Sequence, residues 1–149
     1  MFQPFRLRIP ESLLEAMLQQ ASTELPNECC GLLAGKISGD GRTADATHRY
    51  PLVNAMKSTI EFESDPKGMF LAMKDMRREG TEVLAVYHTH PTSAPIPSRK
   101  DIERNFGISV MSIIIGMLES PPEVRAWWLN ESGYQVAEWE IVRNLSFGG

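Results

Sequence analysis

The sequence predicts an α+β fold, a curved, mixed, mostly antiparallel β-sheet with about three helices packed on it. Three observations carry that expectation. Short apolar runs of strand character recur along the chain and are separated by Gly, Pro, Asn and Asp turns. Two segments instead carry apolar residues at helical spacing, each with a proline at its start. The composition, 42% apolar and 23% charged over 149 residues, suits one globular unit with a sizeable core. Residues 1–149 therefore read as one domain, with its core over about 5–141.

Residues 5–9 alternate loosely and read as a first strand. Residues 10–21 read as an amphipathic helix with Leu13, Leu14, Met17, Leu18 and Ala21 on one side, and Pro26-Asn27 breaks the chain. Residues 28–35 form an apolar run headed by a single acid, a central strand with Glu28 at its start. Taken by itself, Glu28 reads as a solvated strand terminus. Gly31 and Gly35 permit close backbone approach or a bulge. A turn over 38–41 joins 31–36 and 43–50 as a hairpin, and His48, among polar neighbours in the second arm, reads as a surface side chain.

Residues 59–63 alternate and read as a strand. Asp65 then caps a helix over 66–79 with Pro66 in its first position, Met69, Phe70, Met73 and Met76 as its buried stripe, and Gly80 at its end. A short buried strand over 83–86 follows. After a proline-rich loop come a helix over 98–105 and a strand over 107–117. Residues 124–129 and 134–141 flank a turn and read as a terminal hairpin.

Composition also bounds function. A net charge of −4 with no basic block argues against nucleic acid as the main partner. The N-terminus has no apolar stretch of signal-peptide length, and the apolar run 108–118 is shorter than the ~20 residues a spanning helix needs. No membrane partner is expected. Cys29 and Cys30 are adjacent, and strand alternation points them apart, so no disulfide is expected and the cytoplasm is the simplest compartment. With no basic partner near either thiol, both read as structural.

The chemistry gathers in His88-Thr89-His90-Pro91, followed by Ser98 and Asp101. In a strand, residues i and i+2 share a face, so His88 and His90 project together from the strand's end. That suits two imidazole nitrogens meeting one ion at roughly 2.0–2.1 Å each. Pro91, Pro95 and Pro97 bar a continued strand or helix. The chain must turn, and Asp101 in the next helical turn can return as an oxygen ligand. Three protein ligands with one open position is the pattern of a catalytic zinc site. Ser98-x-x-Asp101 also reads as a helix cap. The two readings agree, because a helix start fixed by Ser98 holds Asp101 in place.

The ordered set Glu28, His88-Thr89-His90, Ser98 and Asp101, with seven residues from Pro91 to Pro97 in between, resembles the motif of the JAMM (MPN-plus) zinc metalloproteases, in their small stand-alone prokaryotic form. The run 28–35 is similar to the family's first core strand. The resemblance implies an MPN/JAB-like, cytidine-deaminase-like fold. It implies Zn²⁺ held by His88, His90 and Asp101, Glu28 as general base and then acid, and Ser98 donating to the oxyanion. It also implies hydrolysis of the peptide or isopeptide bond after the C-terminal Gly-Gly of a ubiquitin-like or sulfur-carrier protein, by a monomer or homodimer. Residues 54–63 are the expected substrate-pairing edge. The chain's own Gly148-Gly149 reads as a frayed terminus. The alternative is a non-catalytic scaffold of the same fold, against which the intact ligand set argues. A related DNA-repair protein is disfavoured by the acidic balance.

Overall fold

Strand β1 (Arg6–Pro10) runs straight into helix α1 (Glu11–Glu24), because Pro10 ends the strand and occupies the helix N-cap. The computed structural model describes residues 4–54 and 65–143. The remaining elements are β2 (Cys30–Ile37), β3 (Thr43–Leu52), α2 (Pro66–Glu79), β4 (Glu82–His90), α3 (Arg99–Glu103), β5 (Met111–Gly116), β6 (Glu123–Asn130), β7 (Gly133–Val136) and β8 (Trp139–Val142). All the strands join one eight-stranded sheet in the order β7-β6-β5-β4-β2-β3-β1-β8. The β2–β3, β2–β4, β5–β6 and β6–β7 pairs are antiparallel, and β1–β3, β1–β8 and β4–β5 are parallel. The expected curved, mixed α+β sheet with three helices is what forms.

Alternation along β2 separates two layers of core. Cys29 and Leu33 face one side, where Leu14, Met17 and Ala21 of α1 pack with Leu7, Ile9, Tyr87 and Ile113. Cys30 and Leu32 face the other, against Ala72 and Met76 of α2 and Val86. The two thiols thus point apart, as expected, and both are free and buried. Burial pushes each thiol up to about 12, so neither is a nucleophile at neutral pH.

Helix α2 starts and stops as expected: the Asp65 side chain accepts from the Gly68 N–H, and Gly80 closes it in the left-handed conformation at φ 72°. Its buried face differs from the expected stripe. Phe70 and Met73 are 66% and 48% exposed, whereas Ala72 and Met76 are buried and Met69 is partly so. Two overlapping apolar stripes compete at helical spacing, and the one carrying the small Ala72 faces the sheet. A second correction concerns the region before β5. Ile108 and Leu118 are exposed, and the strand is confined to Met111–Gly116. Residues 104–110 instead form an irregular connection with Gly107 at φ 111°. Helix α3 is likewise shorter than expected.

The last segment is not one strand. Residue 133 onward pairs with β6, then Ala137 and Glu138 carry the chain to β1. Ala137 donates its N–H to the Ala126 carbonyl at 2.9 Å, and Glu138 accepts from the Leu7 N–H at 3.0 Å. A two-residue link reaches only about 10 Å. The first and last strands in the order must therefore lie close together, and the sheet curls back on itself. The expected strand over 59–63, most of the expected edge over 54–63, and Gly148-Gly149 lie outside the described residues.

Two glycines are fixed by packing. A Cβ on Gly31 would sit 2.2 Å from the Tyr87 ring, and one on Gly35, beside the β2 bulge, 1.8 Å from the Asp45 carbonyl oxygen. We expect Gly35→Ala to cost about 1–3 kcal/mol or more in denaturant unfolding, because backbone must move. Gly39→Ala meets nothing within 4 Å and serves as the neutral control. Equal unfolding midpoints for the two variants would contradict the observed strand spacing.

Candidate metal centre

Strand β4 carries both histidines out of the core. Along it, Ala85 and Tyr87 face the α1 side, while Val86 faces the α2 side, the face that His88 and His90 share by alternation. Their side chains are 3% and 8% exposed. Pro91, Pro95 and Pro97 end the strand and are themselves buried, so the loop they form is packed in place. Pro95 lies against Gly116, where a Cβ would come within 2.6 Å of its Cδ. The Trp127 indole N–H donates to the Pro95 carbonyl at 2.9 Å. This loop in turn presents the Ala94 carbonyl to His90 Nδ1 at 2.9 Å. A carbonyl only accepts, so Nδ1 carries the proton and the Nε2 lone pair faces inward.

Asp101 arrives from the first turn of α3. The Ser98 hydroxyl accepts from the Asp101 N–H at 3.1 Å, and the Ser98 N–H donates to Asp101 Oδ2 at 2.8 Å, a reciprocal capping box. The cap aims the carboxylate inward, where its side chain is 9% exposed. Asp101 Oδ1 lies 3.1 Å from His88 Nε2, Oδ2 lies 3.1 Å from His90 Nε2, and the two Nε2 atoms are 3.3 Å apart.

These spacings test whether the residues fit an ion. Ligands bound tetrahedrally at about 2.0–2.1 Å are separated by roughly 3.3 Å. Three donor atoms, two nitrogen and one oxygen, thus stand near the corners of one tetrahedral face. His88, His90 and Asp101 are a group that could hold a metal ion. Electrostatics favour a cation there. Burial pushes the Asp101 carboxyl up, but its close contacts with the His88 and His90 imidazoles and the Ser98 N–H outweigh it and hold it well below the usual carboxylate range. Burial also opposes charge on His90, yet the contacts with Asp101 and Ala94 raise its pKa. The cluster thus draws positive charge to itself.

Glu28 sits just before β2, 3% exposed. Thr89, whose side chain points away from the histidines, ties it down. Its hydroxyl accepts from the Cys29 N–H at 2.9 Å, and its N–H donates to the Cys29 carbonyl at 3.1 Å. Asn54 Nδ2 donates to the Glu28 carbonyl at 3.0 Å. Cys30 pairs with His88 across the strands, so Glu28, two residues earlier, is directed towards the position opposite His90. It shares one cavity with His88 and Asp101. Burial pushes its carboxyl up to about 7, against the pull of His90. The solvated-terminus reading is therefore wrong, because Glu28 is buried at the cluster.

All the sequence-expected site residues meet here, and His48 stays away from them, half-buried and stacked on Tyr50. Thr89, Trp127 and the Ala94 carbonyl had no expected role. For Thr89 the signal was present: between two histidines on a strand, the middle side chain must face the other way. For Trp127 there was none, because its partner lies 32 residues distant.

Comparison with known proteins agrees with this geometry. The family model described as prokaryotic homologs of the JAB domain matches residues 10–130. A desampylase of Pyrococcus furiosus is 34% identical over 136 residues, covering 91% of this chain and 89% of that protein. A probable TtuB-protein conjugate cleaving protease of Thermus thermophilus is 34% identical over 98 residues, 65% of this chain and just under two thirds (62%) of its own length. The solution structure of a Desulfitobacterium hafniense protein superposes with a TM-score of 0.83 at 32% identity, covering 95% of this chain and 97% of that one. With its ligand-competent His88, His90 and Asp101 on a sheet of this kind, the chain belongs to the JAB-domain (JAMM) family, in its prokaryotic branch.

Proposed function

We propose that this protein is a zinc-dependent peptidase of the cytoplasm, cleaving the bond after the C-terminal Gly-Gly of a ubiquitin-like or sulfur-carrier protein. The observation that carries the reading is a buried carboxylic acid, Glu28, sharing one cavity with His88 and Asp101 of a two-nitrogen, one-oxygen donor cluster. The relatives are named for cutting conjugates of such small proteins. Among the described residues no helix is long and apolar enough to cross a membrane.

His88, His90 and Asp101 would hold the zinc, and bound there it supplies a Lewis acid and lowers the pKa of water in its open position towards about 7. The protein's own groups do the rest. Glu28, with a pKa raised by burial, takes the proton from the attacking water and returns it to the departing nitrogen. The Ser98 hydroxyl, which accepts from the Asp101 N–H, keeps its own proton to donate to the oxygen that gains charge at the scissile carbonyl. Trp127 holds the loop that fixes the His90 tautomer. With Cys29 and Cys30 buried and protonated, no covalent intermediate on sulfur is needed.

Three outcomes are expected. Incubated with a ubiquitin-like protein extended beyond Gly-Gly, Glu28→Gln should lose about 10²–10⁴-fold in kcat while keeping stoichiometric zinc, and His88→Ala should lose both. Undiminished cleavage by either variant would remove the proposal. In the pH profile of kcat/KM the acid limb reports protonation of the base: activity is present above the Glu28 pKa and falls below it. A neighbouring dication favours the carboxylate, so the limb of the zinc-loaded enzyme should lie below the value of about 7 that burial sets without metal. Trp127→Phe keeps the ring and deletes the bond to Pro95. It should weaken zinc binding by about 10–100-fold in a competition titration.

A further inference from the structure

Beneath α1, on the face of the sheet opposite the metal ligands, lies a second polar cluster. Tyr87 is fully buried, and its hydroxyl donates to Gln20 Oε1 of α1. Arg49 of β3 directs Nη1 to both partners, at 2.9 Å from Gln20 Oε1 and 3.2 Å from the Tyr87 hydroxyl. Gln20 Nε2 donates to the Cys30 carbonyl at 3.0 Å. One half-buried amide thus joins α1 to β2, β3 and β4. Donors and acceptors balance: the Tyr87 hydroxyl gives one bond and accepts one, and the Gln20 oxygen accepts two.

Apolar packing alone does not fix where α1 sits along the sheet. Leu14, Met17 and Ala21 bury surface there, and such contacts have no preferred direction. They resist lifting the helix more than sliding it. A hydrogen bond weakens steeply when stretched or bent, so the bond from Gln20 to Cys30 sets the register of α1 on β2. That bond closes a span of ten residues, and Glu28 lies inside it. Leu25 and Pro26 within the span are exposed, so core packing does not hold this connection. The Asn27 N–H ties it back to the helix through the Glu24 carbonyl at 2.9 Å. Three residues separate the end of α1 at Glu24 from Glu28, so a shift of the helix passes directly to the acid.

We propose that Gln20 is a positioning residue for the reaction: by anchoring the Cys30 carbonyl to α1, it holds the Glu28 carboxyl within reach of the attacking water. The inference rests on the peptidase reading above. Arg49 and Tyr87 keep the amide turned the right way. Both offer it protons, the amide oxygen takes them, and the NH₂ group is left facing Cys30. The geometry is demanding, because a general base works over about 2.6–3.2 Å. A displacement of about 1 Å lowers a rate by about 10²-fold.

Two substitutions share the loss of the donor to Cys30 and differ in their effect on stability. Gln20→Glu keeps an acceptor for Arg49 and Tyr87 and sets a charge opposite Arg49, so its unfolding midpoint should equal or exceed the wild type's. Gln20→Met keeps the length of the side chain but removes that acceptor, and its midpoint should fall. The substrate is a ubiquitin-like protein extended beyond Gly-Gly, cut by zinc-loaded enzyme below the lower midpoint. Both variants should lose about tenfold to a hundredfold in kcat, with KM within about twofold of the wild type's and zinc still stoichiometric. Amide exchange over residues 27–30 should quicken in both. Gln19→Glu, the same change on the exposed side of α1, should leave kcat as it is. A kcat that follows the midpoint, falling in Gln20→Met alone, overturns the proposal. So do an unchanged kcat in both, loss of zinc, or a Gln20→Glu protein that fails to fold. Each of these leaves the peptidase reading intact, provided the wild type cuts. Should Gln20→Met not fold, the kcat of Gln20→Glu decides. A wild type that cuts nothing overturns both readings.

Discussion

The pairing of β2 with β4 is the constraint on which the site depends. The two imidazoles and the acid come from segments 60 residues apart, and this ladder brings them together. The ladder is locked at its functional end by two hydrogen bonds between Thr89 and the backbone of Cys29. Because side chains alternate along a strand, one residue does two jobs by position: Thr89 clamps from one face while His88 and His90 work on the other. A slip of one residue would turn both imidazoles into the core packed on α1 and swing Glu28 away. Gly31 protects that register, since Tyr87 occupies the space a side chain would need.

Around this pairing the ligand cluster is built before any ion arrives. Burying two imidazoles and a carboxylate together is costly unless each is held by partners. Here each contact serves orientation as well as satisfaction. The Ala94 carbonyl fixes the His90 tautomer, and the Ser98 N–H aims Asp101. Buried prolines and the Trp127 indole hold the loop between them. The ion therefore need not order the loop, which lowers the conformational cost of binding it. The same frame leaves Glu28 as an acid whose burial favours the proton, beside a cluster that attracts positive charge. That difference between neighbouring carboxyls, one held well below the usual range and one raised to about 7, suits the roles proposed for them, Asp101 as ligand and Glu28 as proton carrier.

The curl of the sheet sets what surrounds the site. With β7 and β8 two residues apart yet at opposite ends of the strand order, the sheet's terminal edges are drawn together. Strands β4, β5 and β6 then carry the site on the face away from α1, and the irregular connection after α3 roofs the cavity that Glu28 shares with His88 and Asp101. A second hollow lies across Glu28, at the end of β3. The hollows beside the site are thus shaped by features remote from the ligands: where α1 stops, and where the chain between α3 and β5 abandons regular structure.

By itself the sequence determined whatever is carried by local periodicity and by ligand chemistry at short range. The Asp65 and Gly80 ends of α2, the β2–β3 hairpin, the shared face of His88 and His90 and the Ser98 cap on Asp101 are all decided within a few residues. Tertiary structure decided what local signals leave degenerate. On α2 two apolar stripes fit the helical period equally, and contact with the sheet selected Ala72 and Met76 over Phe70 and Met73. The apolar run 108–118 was longer than the strand the sheet could pair. The final alternating segment was divided between two edges that only the folded sheet brings close. Glu28 changed most in meaning: as a letter at a strand terminus it reads as solvated, and it became a buried acid because long-range pairing closed a cavity around it. Such pairings carry no signature in either strand alone, since their free energy comes from partners that meet only when the chain has folded.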